Sequence, residues 1–152
     1  MPAMGNPASL TDRVKDLSRR AANANDLMRQ TVELLRRERP HYNWVGVYLL
    51  EGGTLVLGPY TGKPTPHTRI ALNQGICGAA ASSGETLIVD DVNADPRYLA
   101  CSLETKSEIV VPIRREGKIL GEIDIDSDAP GAFTEQDRRL LEAVAEILAG
   151  KM

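Results

Sequence analysis

The sequence predicts a single α+β domain in which helices pack on an antiparallel sheet. Amphipathic helical stretches lie near both ends of the chain, and segments with the period-two pattern of strands fill the middle. Short turns join several of these strands into hairpins, which build antiparallel sheets. A length of 152 residues is enough for one domain with a sizeable core.

The composition is that of an ordinary soluble protein, with 42% hydrophobic and 26% charged residues. A formal charge of −3 and the lack of a basic cluster argue against nucleic-acid binding. The sequence shows no secretion signal and no apolar run that could cross a membrane. We therefore expect a cytoplasmic protein. The chain has two cysteines. In a reducing compartment they are not expected to form a permanent structural disulfide, and the alternative is that they act as a redox or nucleophilic pair.

Two helices are expected before the first strand. Residues 1–8 show no pattern and are expected to be disordered. Ser9 can cap a short helix with an apolar stripe, and a second helix is expected from Asn25 to Arg39, where Pro40 ends it.

A hairpin follows, with strands at Asn43 to Leu50 and Thr54 to Gly58 joined by a turn rich in glycine. Trp44 and Tyr48 share one face of the first strand, where they can belong either to the core or to a lined pocket. The proline-rich residues 59–66 are expected to form a loop.

The middle of the chain alternates short elements, with strands at His67 to Leu72 and Glu85 to Val89 on either side of a helix from Ile76 to Ser83. Cys77 lies in the first turn of that helix. There the helix dipole favours a thiolate and should lower the pKa of the cysteine. The alternative is that Cys77 is a small buried hydrophobe. A long polar loop to Ala100 comes next.

A second hairpin, followed by a last helix capped by Thr134, completes the chain. Alternating residues run from Ser107 to Ile113 and from Ile119 to Asp126. A three-residue loop at 115–117 would place both apolar sets on one side of the sheet. In that register Glu108 faces Asp124, and the side chain of Asp126 points the same way.

Three carboxylates close to Cys101 suggest a proton donor or a site for a cationic ligand, since like charges facing each other destabilise a sheet. A solvated outer face is the alternative. No phosphate-binding glycine loop, dinucleotide-binding motif or nucleophile elbow occurs. A metal site is not expected, because His41, His67, Cys77 and Cys101 lack the spacing of metal ligands.

Several segments, in order, resemble small stand-alone GAF domains and, more narrowly, free methionine-(R)-sulfoxide reductases. They are NWVGVYLL, LVLGPYTGKP, NQGICGAAA, DVNADPRYLAC, SEIVVPI and GEIDIDS. The resemblance covers about residues 25–150 and implies one GAF domain over 1–152. The implied fold is a central antiparallel sheet of about six strands, with the N- and C-terminal helices on one face and loops and a short helix on the other.

The resemblance also implies a mechanism without a bound cofactor. Cys101 matches the cysteine that attacks the sulfoxide sulfur and becomes a sulfenic acid, and Cys77 matches a second cysteine that resolves it. An external thiol donor of the thioredoxin type then reduces the disulfide. Glu108 and Asp126 match acids that bind substrate and can donate a proton, because crowding raises the pKa of a carboxyl group. The other matching substrate-binding positions are Trp44, Tyr48 and Asp124.

One departure concerns the resolving thiol. Many members of the family carry a third cysteine at the position of His67, so this chain resembles a two-cysteine subgroup in which Cys77 would resolve Cys101 directly. GAF domains also imply a homodimer and, as the alternative function, a noncatalytic sensory or ligand-binding module. That no output domain follows Met152 favours the enzyme.

Overall fold

The computed structural model describes residues 9–99 and 103–152. In these ranges the chain forms four α-helices, one short 3-10 turn and six strands. In chain order they are α1 (Leu10–Arg20), α2 (Ala24–Glu38), β1 (Trp44–Glu51), β2 (Thr54–Thr61), β3 (Arg69–Ala71), α3 (Gly75–Ser83), β4 (Leu87–Val89), the 3-10 turn (Val92–Ala94), β5 (Ser107–Arg115), β6 (Lys118–Ser127) and α4 (Glu135–Lys151).

The six strands form one antiparallel sheet in the order β3-β2-β1-β6-β5-β4. One face carries a core built with α1, α2 and α4, to which Val45, Val47 and Ile109 contribute. The other face packs on α3 and includes Trp44 and Tyr48. The predicted α+β class and the division of the helices between the two faces are confirmed. Strands β1 and β6 are central, and because both faces of the sheet are covered, their residues 44–48 and 121–127 are buried on both faces.

The predicted helix starts agree with the structure because their caps are local. The Ser9 hydroxyl accepts the backbone N–H of Asp12 at 3.1 Å. The carboxylate of Asp137, in the first turn of α4, accepts the backbone N–H of Thr134 at 2.8 Å. The hydroxyl of Tyr42 also donates to Asp137, which ties the start of α4 to the segment before β1.

The predicted register of the second hairpin is wrong. A two-residue turn, Glu116 and Gly117 with φ of 55° and 78°, joins Arg115 to its partner Lys118. A register shift next to Ile113 then restores the alternation of the two faces, a bulge that the periodic pattern did not reveal. As a result Glu108 lies opposite Asp126, and Val110 lies opposite Asp124.

The predicted proline-rich loop is partly wrong, because β2 extends to Thr61. Pro59 is tolerated there: β3 pairs only with residues 54–56, and the β1–β2 register shifts next to this position. The strands predicted at 67–72 and 85–89 are shorter, at Arg69–Ala71 and Leu87–Val89. None of the helices in the described ranges is both long and apolar enough to cross a membrane.

Candidate active site

Four carboxyl groups lie together on the face of the sheet that α3 covers. Glu122, Asp124 and Asp126 alternate along β6, so their side chains share one face, and Glu108 of β5 lies opposite Asp126. Their exposed fractions are 0%, 3%, 3% and 5%, in the order Glu122, Asp124, Asp126 and Glu108. The alternative of a solvated outer face is therefore wrong. We call these four residues the acid cluster.

The predicted aromatic pair borders the acid cluster. Trp44 lies opposite Asp126 and Tyr48 lies opposite Glu122 on the neighbouring strand β1, and both rings are buried. Their ring centroids are 6.4 Å apart. The hydroxyl of Tyr48 donates to the carbonyl of His67 at 2.7 Å, which places His67 at the edge of the site. The rings thus form an apolar wall next to the carboxyl groups.

Cys77 belongs to the same site, but the prediction that its pKa is lowered is wrong. The residue is buried, and its Sγ donates to Oδ2 of Asp124 at 3.3 Å. Burial raises the pKa of the Cys77 thiol, and the negative charges of Asp124, Glu122 and Glu108 raise it further. Desolvation and nearby carboxylates thus outweigh the dipole of the short helix α3, so Cys77 is held as a thiol.

Three of the four carboxyl groups of the acid cluster have raised pKa values as well. Burial is the largest cause that raises the pKa values of Glu122, Asp124 and Asp126. The charge of Asp124 adds to the rise at Glu122 and Asp126, whereas hydrogen bonds from Glu108 and Cys77 oppose the rise at Asp124. These three groups therefore keep their protons to a higher pH than an exposed carboxyl group does, which suits a proton donor.

Several oxygens of the cluster point into the site without a hydrogen bond. Among the described residues, neither carboxyl oxygen of Glu122 has a partner, and Oδ1 of Asp124 and of Asp126 also lack one. Buried polar atoms are normally paired, so these oxygens suit a ligand that brings donors or positive charge. Glu122 was not among the predicted site residues, although its period-two spacing from Asp124 and Asp126 was the signal that could have found it.

A cation could also be held here. One donor atom each from Cys77, Glu108 and Asp124 lies within 4.8 Å of the other two, in the described part of the chain. The spacing of cysteines and histidines did not predict this site, because two of its three ligands are carboxylates from separate strands.

Two cavities adjoin the acid cluster. One, of about 10 Å³, is bordered by Tyr48, Cys77 and Asp124. The other, of about 130 Å³, is bordered by Trp44 and Asp126. Cys101, the predicted nucleophile, falls at 100–102, outside the described residues.

This fold has counterparts among known proteins. The chain belongs to the GAF domain family, whose model matches residues 23–152. A relative named free methionine-R-sulfoxide reductase from Saccharomyces cerevisiae is 47% identical over 110 residues, which are 70% of this chain and 61% of the relative. The relative of that name from Escherichia coli is 38% identical over 123 residues, covering 78% and 74% of the two chains.

Solved structures agree with the sequence relatives. The free methionine-R-sulfoxide reductase of Neisseria meningitidis, solved in complex with its substrate, superposes with a TM-score of 0.90 at 32% identity. The alignment covers 99% of this chain and 95% of that one. A type II free methionine-R-sulfoxide reductase from Thermoplasma acidophilum aligns with a TM-score of 0.80 at 37% identity, covering 93% and 94%.

Proposed function

We propose that this protein reduces free L-methionine-(R)-sulfoxide to methionine. The observation that carries the proposal is the buried acid cluster, with its unpartnered oxygens, next to the Trp44 and Tyr48 rings. A methionine sulfoxide molecule brings an ammonium group and a polar oxygen that suit the carboxyl groups, and a methyl thioether end that suits the aromatic wall. Relatives named for this activity, at 47% and 38% identity, support the same reading.

The acid cluster supplies the two things that the first step needs. The carboxylates of Asp124 and Asp126 bind the ammonium group, while Glu108 on the neighbouring strand, in its protonated form, hydrogen-bonds the sulfoxide oxygen. The Cys101 sulfur attacks the sulfoxide sulfur and forms an S–S bond, and the protonated oxygen then passes to the Cys101 sulfur as the substrate S–O bond and that S–S bond break. The products are methionine and a sulfenic acid, Cys–S–OH, in which the hydroxyl carries the substrate oxygen and one proton.

A second thiol closes the cycle. The thiol of Cys77 attacks the sulfur of the Cys101 sulfenic acid, a disulfide forms, and the hydroxyl leaves as water with the Cys77 proton. Asp124 is suited to receive that proton first, because it already accepts a hydrogen bond from Cys77. A dithiol of the thioredoxin type then reduces the Cys77–Cys101 disulfide and is itself oxidised.

The direct test is an assay of methionine release with a dithiol reductant present. We expect turnover of the free R sulfoxide and at least about a hundredfold lower kcat/KM for the same residue inside a peptide, since a blocked amine cannot bring a charged ammonium into the acid cluster. The S epimer serves as the matched control. Equal rates with free and peptide-bound sulfoxide would contradict the proposal.

Mass spectrometry separates the two halves of the scheme. After one equivalent of free methionine-(R)-sulfoxide and no reductant, we expect a Cys77–Cys101 disulfide. A sulfenic acid that persists on Cys101 would mean that an external thiol, rather than Cys77, resolves it. Two unmodified thiols would contradict the chemistry altogether.

A noncatalytic ligand-binding module is the alternative that GAF membership leaves open. It would bind a small ligand tightly and leave both cysteines unchanged after exposure to the sulfoxide. The concentration of carboxyl groups next to a cysteine favours the enzyme, because carboxyl groups offer no positive charge to an anionic ligand such as a nucleotide.

A further inference from the structure

The larger cavity next to the acid cluster has a different chemical character from the cluster itself. It measures about 130 Å³ and is bordered by Trp44 and Asp126, and also by the cationic residues Lys63 and Arg36. One water needs roughly 10–15 Å³ of such space. The cavity next to Cys77, of about 10 Å³, does not exceed that, whereas the larger cavity exceeds it severalfold. The larger cavity can therefore accept the polar end of an amino acid.

Lys63 is held at this cavity by its backbone. Gly62 has a φ of +125°, and a Cβ atom there would lie 2.8 Å from Cδ1 of Trp44. Only glycine allows the chain to pass so closely over the tryptophan. The carbonyl of the next residue, Lys63, accepts the indole N–H of Trp44 at 2.9 Å. The position of Lys63 is thus tied to the aromatic wall of the candidate active site.

The positive charge of Lys63 suits the substrate carboxylate, which the acid cluster cannot bind. The cluster offers acids for an ammonium group, but an amino acid also carries a carboxylate, which needs a positive partner. The Lys63 Nζ lies 3.3 Å from Oε1 of Glu104, and because this ion pair is exposed it costs little to replace with the substrate carboxylate. Arg36 is the other cation at this cavity, and its Nε donates to the carbonyl of Asn43 at 3.2 Å.

We propose that Lys63 binds the α-carboxylate of the substrate in the larger cavity while Asp126 binds its ammonium group. The inference rests on the proposed function and assigns the two ends of the substrate. The amino-acid end occupies the cavity between Lys63 and Asp126, and the side chain extends along Trp44. A residue within a peptide has an amide in place of the carboxylate and loses this ion pair.

The test compares two substrates with Lys63→Met and Lys63→Arg. One substrate is free methionine-(R)-sulfoxide, and the other is the same molecule without its carboxylate, 3-(methylsulfinyl)propylamine. Because Lys63 is an exposed side chain, we expect Lys63→Met to raise KM for the amino acid by about fivefold, with kcat nearly unchanged. KM for the amine should not change, and Lys63→Arg should restore most of the affinity.

Control variants distinguish a failure of the Lys63 carboxylate site from a failure of the proposed activity. Lys118→Met removes an exposed lysine at the hairpin tip and should leave both KM values unchanged. If the wild-type protein releases methionine but Lys63→Met raises KM equally for both substrates or for neither, the carboxylate site is refuted while the activity stands. The same holds if Arg36→Met, rather than Lys63→Met, gives the selective rise. If the wild-type protein releases no methionine, the proposed function itself fails.

Discussion

Replacing Cys101 with serine is expected to abolish methionine release, lowering kcat/KM by at least about a thousandfold. Serine keeps the size of the side chain but is a far weaker nucleophile towards sulfur, and its product would have no disulfide route back to the resting enzyme. The measurement is methionine formed from the free R sulfoxide with an excess of dithiothreitol. Full loss in Cys101→Ser assigns the attacking atom, and retained turnover would refute that assignment.

Cys77→Ser is the matched control, because it removes the other thiol and leaves the first step intact. One methionine per chain should form without reductant, and a sulfenic acid on Cys101 should be captured by dimedone. With dithiothreitol present, turnover should continue, since the small thiol can resolve the sulfenic acid. If Cys77→Ser is inactive even in a single turnover while Cys101→Ser is active, the two roles are reversed.

The second large effect is expected in stability, where Glu122 should make the protein less stable as the pH rises. Burial raises the pKa of Glu122 well above its ordinary value of 4.5, so the folded chain holds a proton that the unfolded chain has lost. The free energy of unfolding must then fall from about pH 4.5 upwards until the pH passes the folded-state pKa. One such group contributes up to about 1.4 kcal/mol per pH unit.

Glu122→Gln tests this directly, because glutamine is nearly the same size and has no charge at any pH. Above about pH 4.5 we expect its free energy of unfolding to decline less steeply with pH than that of the wild type, by up to about 1.4 kcal/mol per pH unit while the pH lies below the folded-state pKa of Glu122. Asp124 and Asp126 leave a remaining slope of the same sign, since their pKa values are also raised. Guanidinium unfolding at several pH values provides the measurement.

Glu116→Gln is the control for the stability experiment, since Glu116 is exposed at the hairpin tip. It should leave the pH dependence of unfolding unchanged. Equal slopes for the wild type and Glu122→Gln would mean that Glu122 is not held protonated in the folded state. The inference that burial raises the pKa of Glu122 would then be wrong.

Local pattern was sufficient for the parts of the fold that neighbouring residues decide. The helix start at Ser9 depends on a side chain three residues from its backbone partner, and the faces of β1 and β6 follow from the period of two along each strand. The shared face of Trp44 and Tyr48, and of Asp124 and Asp126, could be predicted for the same reason. The GAF fold and the expected activity were predicted from the resemblance of six short segments to that family.

Two features that the sequence missed depend on how segments pair and pack. The two-residue turn and the bulge next to Ile113 each shifted the register by one residue, and together they moved the partner of Glu108 from Asp124 to Asp126. A bulge leaves no mark in the period of a single strand. The effect on the pKa of Cys77 was opposite to the prediction. Its helix position is local, but burial and the charge of Asp124 arise only when α3 packs on the sheet.

The sequence by itself determined the α+β class, the order of elements and which side chains share a face, since these follow from short-range geometry. Only the tertiary structure decided that the acid face is buried and that Lys63 borders a cavity next to Asp126. The physical reason is that burial and charge coupling depend on which elements come together across the sheet, and a linear pattern does not record those distances.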